Sequence, residues 1–289
     1  MNQLLHTEGS IMVTGAAGRI GRAVIRELEA HGLPWIGVDA RAEVAFQPSG
    51  DFAMRRVALE DLGSTIEVLR GARGVIHLAN HPYPRYEPDQ VVFTGNMRIN
   101  YNLFSAAELL CIPRVVWLSS EKATGMPFQL TSPRALPLDE FHPVSPECAY
   151  GLSKRLSEEV AAFHARTART SFVGLRAALV QDSSNYAGYR DFQNDPHSRR
   201  WHLWNYIDIR DLARACRLGV EANLTGAHVM HIAARDTVVD MPTAELVREA
   251  FGNIAWYPSS DDVNASLANI RTAEQVIGFR PEITWRDSR

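Results

Sequence analysis

The chain has 289 residues, enough for one large domain or two small ones with a sizeable core. Hydrophobic residues at 46% and charged ones at 22% exclude a disordered chain. A net charge of -3 with a pI near 6.4 gives no basic field for nucleic acid. Of the 30 basic residues only two are lysines, Lys122 and Lys154; with arginine as the default base, each lysine asks what a compact ammonium does there.

In chain order, short apolar runs at residues 10–14, 35–39, 54–59, 74–79, 114–119 and 171–176 alternate with helical spacing at 19–31, 91–110 and 150–167. This alternation predicts an α/β fold, a doubly wound parallel sheet with helices on both faces. The composition shifts near residue 180. Residues 181–204, QDSSNYAGYRDFQNDPHSRRWHLW, are polar and aromatic without a period, which predicts a long loop. Residues 205–221 read as a strand running into a helix, 228–233 as another strand, and the chain from 241 onward as a small helical cap. Cys111, Cys148 and Cys216 are odd in number and far apart, as expected in a reducing compartment. The opening MNQLLHTEGS lacks the pattern of a signal peptide, and no apolar run reaches membrane-spanning length, so a cytoplasmic protein without membrane contact is expected. The ten histidines form no metal-ligand pair, so no metal is expected.

The first strand runs into Gly15-Ala-Ala-Gly18-Arg19-Ile20-Gly21 and then a helix. Glycines at this spacing allow a tight turn and close approach of backbone to a pyrophosphate, which the helix N-terminus attracts. Asp39 closes the second strand, where a carboxylate accepts both ribose hydroxyls of an adenosine and repels a 2′-phosphate; this points to NAD. Arg19 and Arg41 are the residues that would tolerate that phosphate instead. Asp61 follows the third strand and is readable either as an adenine contact or as the N-cap of the next helix.

Tyr150 and Lys154 are four apart in a helical stretch and share a face. A phenol becomes a usable base when an ammonium and a cationic nicotinamide stabilise its phenolate. Ser119 and Ser120 end the fifth strand, at the sheet edge where such folds bind ligands.

These residues, with HLAN at 77–80, NMRINYNLFSAA at 96–107, LSSEKATG at 118–125, YGLSK at 150–154, LRAALV at 175–180, NYIDIRDLA at 205–213 and IGFRPEITW at 277–285, resemble the extended short-chain dehydrogenase/reductase family, the NAD-dependent epimerases and dehydratases. The resemblance implies a Rossmann-type NAD-binding domain over 1–180 and a substrate-binding region over 181–289, with 205–235 returning to the core sheet. It implies Tyr150 as general base, Lys154 as the group that orients the ribose and lowers the tyrosine pKa, and Ser120 as the residue holding the reacting hydroxyl. Expected cofactor contacts are Gly15, Gly18, Arg19, Ile20, Gly21, Asp39, Asp61, Leu62, Leu78, Ala79, Asn96, Tyr150 and Lys154. Expected substrate contacts are Asn80, His81, Ser119, Ser120, Arg190 and Trp204, although His81 reads equally well as a structural hydrogen-bonding residue. The family is commonly dimeric through two helices, here 91–110 and 150–167, whose apolar faces suit a homodimer.

Departures from the family pattern narrow the reaction. Where its dehydratases carry Asp-Glu after the serine or threonine, this chain has Glu121 and Lys122, which argues against expulsion of water. The substrate region is short for a whole nucleotide sugar, as in uronate dehydrogenases. The expected activity is oxidation of a hydroxyl, at the anomeric position, of a free or acidic sugar. Two rivals stand beside it: a nucleotide-sugar 4-epimerase using the same residues without net redox, and a non-catalytic dinucleotide-sensing protein. Residues 181–204 are expected to close over the sugar, with Tyr186, Tyr189, Phe192, Trp201 and Trp204 on its apolar faces and Arg190, ahead of Arg199 and Arg200, on an anionic group. The alternative is a surface loop with solvated arginines.

Overall fold

The computed structural model describes residues 9–41, 53–82, 87–167, 169–193, 195–258 and 260–288. The first eight residues, part of the stretch read for a signal peptide, lie outside them. In the first half, strands β1 (Ile11–Thr14), β2 (Trp35–Asp39), β3 (Ala53–Arg56), β4 (Gly74–His77) and β5 (Arg114–Leu118) interleave with helices α1 (Arg19–Ala30), α2 (Leu62–Leu69) and α3 (Asp89–Leu109). There follow β6 (Ala135–Leu136), α4 (Ala149–Thr167), β7 (Ser171–Ala177), β8 (Val180–Gln181) and α5 (Ser183–Tyr186). The chain continues through β9 (Ile207–Asp208), α6 (Ile209–Glu221), β10 (Ala227–Ile232), α7 (Thr243–Phe251), β11 (Ala255–Trp256) and α8 (Arg271–Ile277).

Seven strands form one parallel sheet in the order β3-β2-β1-β4-β5-β7-β10. It is doubly wound, and its order reverses between β1 and β4, the switch point beyond whose carboxyl ends such sheets bind ligands. The strands are apolar on both sides because both faces are covered. Ile11 and Val13 of β1 enter the cluster beneath α1, α6 and α8, while Met12 enters the one beneath α2, α3 and α4. On α1 the buried residues are Val24, Ile25 and Leu28, and Arg22 and Arg26 stay exposed, the ordinary one-sided division of a covering helix. Among the described residues no helix is long and apolar enough to cross a membrane.

A third cluster draws on residues 126–138, 186–206, 238–247 and Trp285. Here the loop expected over 181–204 needs correction. The segment folds as α5 and two 3₁₀ turns, Ala187–Phe192 and Pro196–His202, and Tyr186, Tyr189, Phe192 and Trp204 are buried core. The Tyr189 ring lies 5.3 Å from Trp285 and 6.0 Å from Tyr206. The Tyr186 hydroxyl donates to Asp208. Arg199 and Arg200 stack on Phe192 and Phe251 at 4.3 and 4.8 Å. The aromatics carry no helical or strand period because short turns aim successive rings at one centre.

Candidate active site

At the switch point β1 ends in a turn that only glycine fits. Gly15 has φ +67°, and a Cβ there would lie 2.8 Å from the Ala79 amide nitrogen; one on Gly21 would lie 2.3 Å from the Gly15 carbonyl oxygen. Close packing of β1, α1 and β4 therefore depends on both. The N-cap of α1 is Gly18, with no side-chain cap, whereas α2 is capped by the Asp61 carboxylate accepting from the Ser64 amide at 2.7 Å. The first amides of α1 are thus left for an anion.

Beside the turn lies a cleft of about 840 Å³, lined by Gly15, Gly18, Arg19, Asp39, Leu78 and Ala79 among others. Asp39 is buried at its rim and accepts from the Ala17 amide at 3.0 Å and from the Arg41 amide and Nε at 3.0 Å each. Burial alone would raise this carboxyl, but the bonds from Arg41 and Ala17 outweigh it and hold the group below its ordinary range. Arg19 reaches from α1 to the Val180 carbonyl at 2.7 Å and to Asp182 at 3.3 Å, tying the turn to the segment after β7. An uncapped helix start, a glycine cradle and a carboxylate at the end of β2 together fit a dinucleotide such as NAD.

The catalytic candidates gather at the carboxyl end of β5. Tyr150 and Lys154 lie in α4 and share a face, with the ammonium 5.4 Å from the phenol ring centre. Tyr150 is hydrogen-bonded to Ser120. Loss of solvent pushes the phenol up to about 12 and the Lys154 ammonium down to about 7. Without added positive charge, therefore, the phenol keeps its proton at neutral pH. Lys154 Nζ donates to Asn80 Oδ1 at 2.6 Å and to the Leu118 carbonyl at 2.8 Å.

Several residues expected to touch ligands prove to hold other residues. Asn80, expected at the substrate, accepts from Lys154 and donates to Asn100 Oδ1 at 2.8 Å, although it also lines the cleft. Asn100 in turn bonds His77 at 2.9 Å and Ser157 at 2.7 Å. Ser119, also assigned to substrate, donates instead to Glu158 Oε1 at 2.7 Å; Glu158 is held in a buried two-point ion pair by Arg176 at 2.9 Å. Asn96, expected at the cofactor, is fully buried and accepts from the His81 amide at 2.7 Å. His81 lines the cleft with its ring bonded to Glu87 at 2.5 Å, so the structural part of its reading is present.

Three expectations on position are corrected. Asp61 is the N-cap, because an exposed carboxylate beside four free helix amides finds them first; Asp61 and Leu62 are exposed, and Leu59 and Glu60 line the cleft in their place. Trp204 is wholly buried in the third cluster, near Phe251, because that core needs large rings to fill it. Arg190 is exposed and lines a groove with Ser183, Tyr186, Gln193, Asp240 and Trp285 rather than the cleft at the glycine turn. Ile20, in the first turn of α1, has its side chain half-buried against the core and its amide among those left for an anion.

Glu121 and Lys122, read in the sequence only for the reaction they disfavour, also stand beside Ser120. They follow it in a buried 3₁₀ turn, and Lys122 Nζ lies over the Trp201 ring at 4.9 Å. Glu158, Arg176 and Asn100 were not singled out from the sequence. The scarcity of lysine was the available signal for Lys122; a bond between residues far apart in the chain gives none.

A family model described as the NAD dependent epimerase/dehydratase family matches residues 11–233. A putative UDP-glucose 4-epimerase of Methanocaldococcus jannaschii is 27% identical over 186 residues, 63% of this chain and 57% of that protein. The uronate dehydrogenase of Agrobacterium fabrum is 30% identical over 151 residues, 52% of this chain and 54% of that protein. The aligned part of the chain thus spans little more than half the length of either curated relative. Among solved structures, a short-chain dehydrogenase/reductase superfamily protein from Agrobacterium tumefaciens with bound NAD has a TM-score of 0.71 at 24% identity, covering 96% of this chain and 94% of that one.

Proposed function

The chain belongs to the NAD-dependent epimerase/dehydratase family, within the extended short-chain dehydrogenases/reductases, and on that footing we propose that it oxidises the anomeric hydroxyl of a free or acidic sugar. NAD, when bound, supplies the hydride acceptor and a positive charge close to the phenol. The residues that would hold it are the turn at Gly15, Gly18 and Gly21, the uncapped start of α1, Asp39, and Lys154 at the ribose. Ser120 holds the sugar oxygen and Tyr150 removes its proton. The Lys154 ammonium, kept in place by Asn80 and Leu118, stabilises the phenolate electrostatically.

The observation that carries the reading is the hydrogen-bonded Ser120–Tyr150 pair, with Lys154 beside it, at the carboxyl end of β5. A sensor of dinucleotide would need no such set. Lys122 stands where an acid would be required to expel water, which favours oxidation over elimination. The epimerase reading uses the same residues and is favoured by the similarity to the Methanocaldococcus protein. Absorbance of NADH with a panel of free aldoses, uronates and nucleotide sugars separates the two. Net NADH from a free sugar supports the dehydrogenase, and sugar conversion without NADH overturns it in favour of the epimerase.

A homodimer through α3 and α4 belongs to the same proposal. The two helices pack on each other and leave Val91, Tyr101, Leu109, Leu152, Leu156 and Phe163 exposed on their outer faces. Light scattering is expected to give a dimer, and Leu156→Asp combined with Phe163→Asp a monomer. A wild-type monomer would remove this part of the proposal.

A further inference from the structure

The carboxylate expected to take the cofactor ribose already has its acceptor positions filled. Asp39 Oδ1 accepts from the Arg41 amide and from Arg41 Nε, both at 3.0 Å. Asp39 Oδ2 accepts from the Ala17 amide at 3.0 Å and from Arg41 Nη2 at 3.2 Å. A carboxylate offers about four acceptor positions, so these donors leave none for the ribose hydroxyls. All but the Ala17 amide belong to Arg41. The guanidinium also reaches the glycine turn, since a Cβ on Gly18 would lie 3.8 Å from Arg41 Nη2.

Arg41 has donors to spare. A guanidinium carries five N–H groups, and here Nε and Nη2 alone bond Asp39. Both residues line the cleft beside the glycine turn, where the Arg41 side chain is 63% exposed against 6% for Asp39. Among the described residues no other hydrogen bond or ion pair holds that guanidinium. Arg19, the other arginine lining the cleft, is engaged with Val180, Asp182 and Asn185. Of the further carboxylates lining it, Glu87 bonds the His81 ring, and Glu60 stands beyond the end of β3. At that end of β3 the register partner of Asp39 is Arg56, an exposed second cation on the same edge of the sheet.

We infer that Arg41 is the specificity-determining residue for the 2′ position of the cofactor, and that it lets the protein bind NADP as well as NAD. A 2′-phosphate meets the spare N–H groups of a guanidinium, whose fork suits phosphate oxygens, while Asp39 anchors that guanidinium. With NAD there is no phosphate to hold Arg41, and the guanidinium turns aside before the ribose hydroxyls reach Asp39. An ion pair open to solvent on its arginine side is weak, so this turn costs little and NAD still binds. Repulsion of a 2′-phosphate belongs to a bare carboxylate, and Asp39 is a paired one. The inference rests on a dinucleotide at the glycine turn and needs nothing of the sugar or its oxidation.

The test is calorimetric titration of the wild type and of Arg41→Met with NAD and, separately, with NADP. The wild type is expected to bind NADP within about tenfold of NAD. Arg41→Met is expected to shift the ratio of the two dissociation constants toward NAD by at least about tenfold, the loss of one charge-assisted contact. Methionine keeps much of the side chain's length without its donors, and NAD binding by the variant reports an intact cleft. A wild type that binds NADP more than about tenfold weaker than NAD overturns the inference, as does a smaller shift of the ratio in the variant. Loss of both dinucleotides in Arg41→Met overturns it too, since Arg41 would then serve the two alike. A wild type that binds neither overturns this inference and the proposed oxidation together. Because binding is read without a sugar, failure to find one that is oxidised counts against the oxidation proposal alone.

Discussion

The turn at residues 15–21 and the segment at residues 181–204 meet through Arg19, which bonds Val180 and Asp182, yet they are built on different physics. In the turn, backbone groups do the recognising. Glycine is required because no Cβ fits between β1 and β4, and the first amides of α1 have no side-chain cap. In the segment the backbone is irregular, and large side chains do the work by filling a core around Tyr206 and Trp285. A glycine pattern is thus close to a direct statement of geometry. An aromatic pattern states only that large apolar surfaces must be covered, whether by a ligand or by one another.

The largest effect expected from breaking this comparison is on stability. Trp204→Ala should cost about 3–5 kcal/mol in urea unfolding, as for deletion of a fully buried ring. A change confined to substrate KM would return Trp204 to the substrate contacts. Next comes catalysis. Tyr150→Phe should lower turnover by at least about 100-fold while NAD binding, followed by calorimetry, stays nearly unchanged. Near-normal turnover would remove Tyr150 as the base.

Acid should act on both regions together. His77 in the sheet and His202 at the end of the turn Pro196–His202, with His231 in β10, are held neutral by burial down to about pH 3, against an ordinary 6.5. Below pH 6.5 the unfolded chain takes up three protons that the folded protein refuses, so these groups lower stability as pH falls. Glu121, raised to about 8, opposes with one proton that the folded protein holds and the unfolded chain releases above about pH 4.5. The net of two protons gives a loss of about 2.7 kcal/mol per pH unit between about 6 and 5 from these four groups. Urea unfolding that shows equal stability at pH 6 and pH 5 would refute it. The smallest effect sharpens the contrast: Arg190→Ala should change kcat/KM less than about threefold for acidic and neutral sugars alike. A selective loss with the acidic sugar would restore Arg190 as the anion contact.

The sequence by itself determined the sheet and singled out the residues proposed for proton transfer. Strands buried on both faces read as apolar runs, glycines at fixed spacing read as a phosphate turn, and a tyrosine four residues before one of two lysines reads as a base with its ammonium. Each of these is a local relation, carried by backbone conformation or by one turn of helix. Only the tertiary structure decided which polar groups are already engaged. Asn80 went to Lys154, Ser119 to Glu158, Asn96 to the His81 amide and Asp61 to its own helix. It also decided that Trp204 is buried while Trp201 lies over Lys122, two residues after Ser120. A buried polar group must be satisfied by whatever the fold brings within about 3 Å, and that neighbour stands tens of residues away in the chain for Asn80 and Ser119.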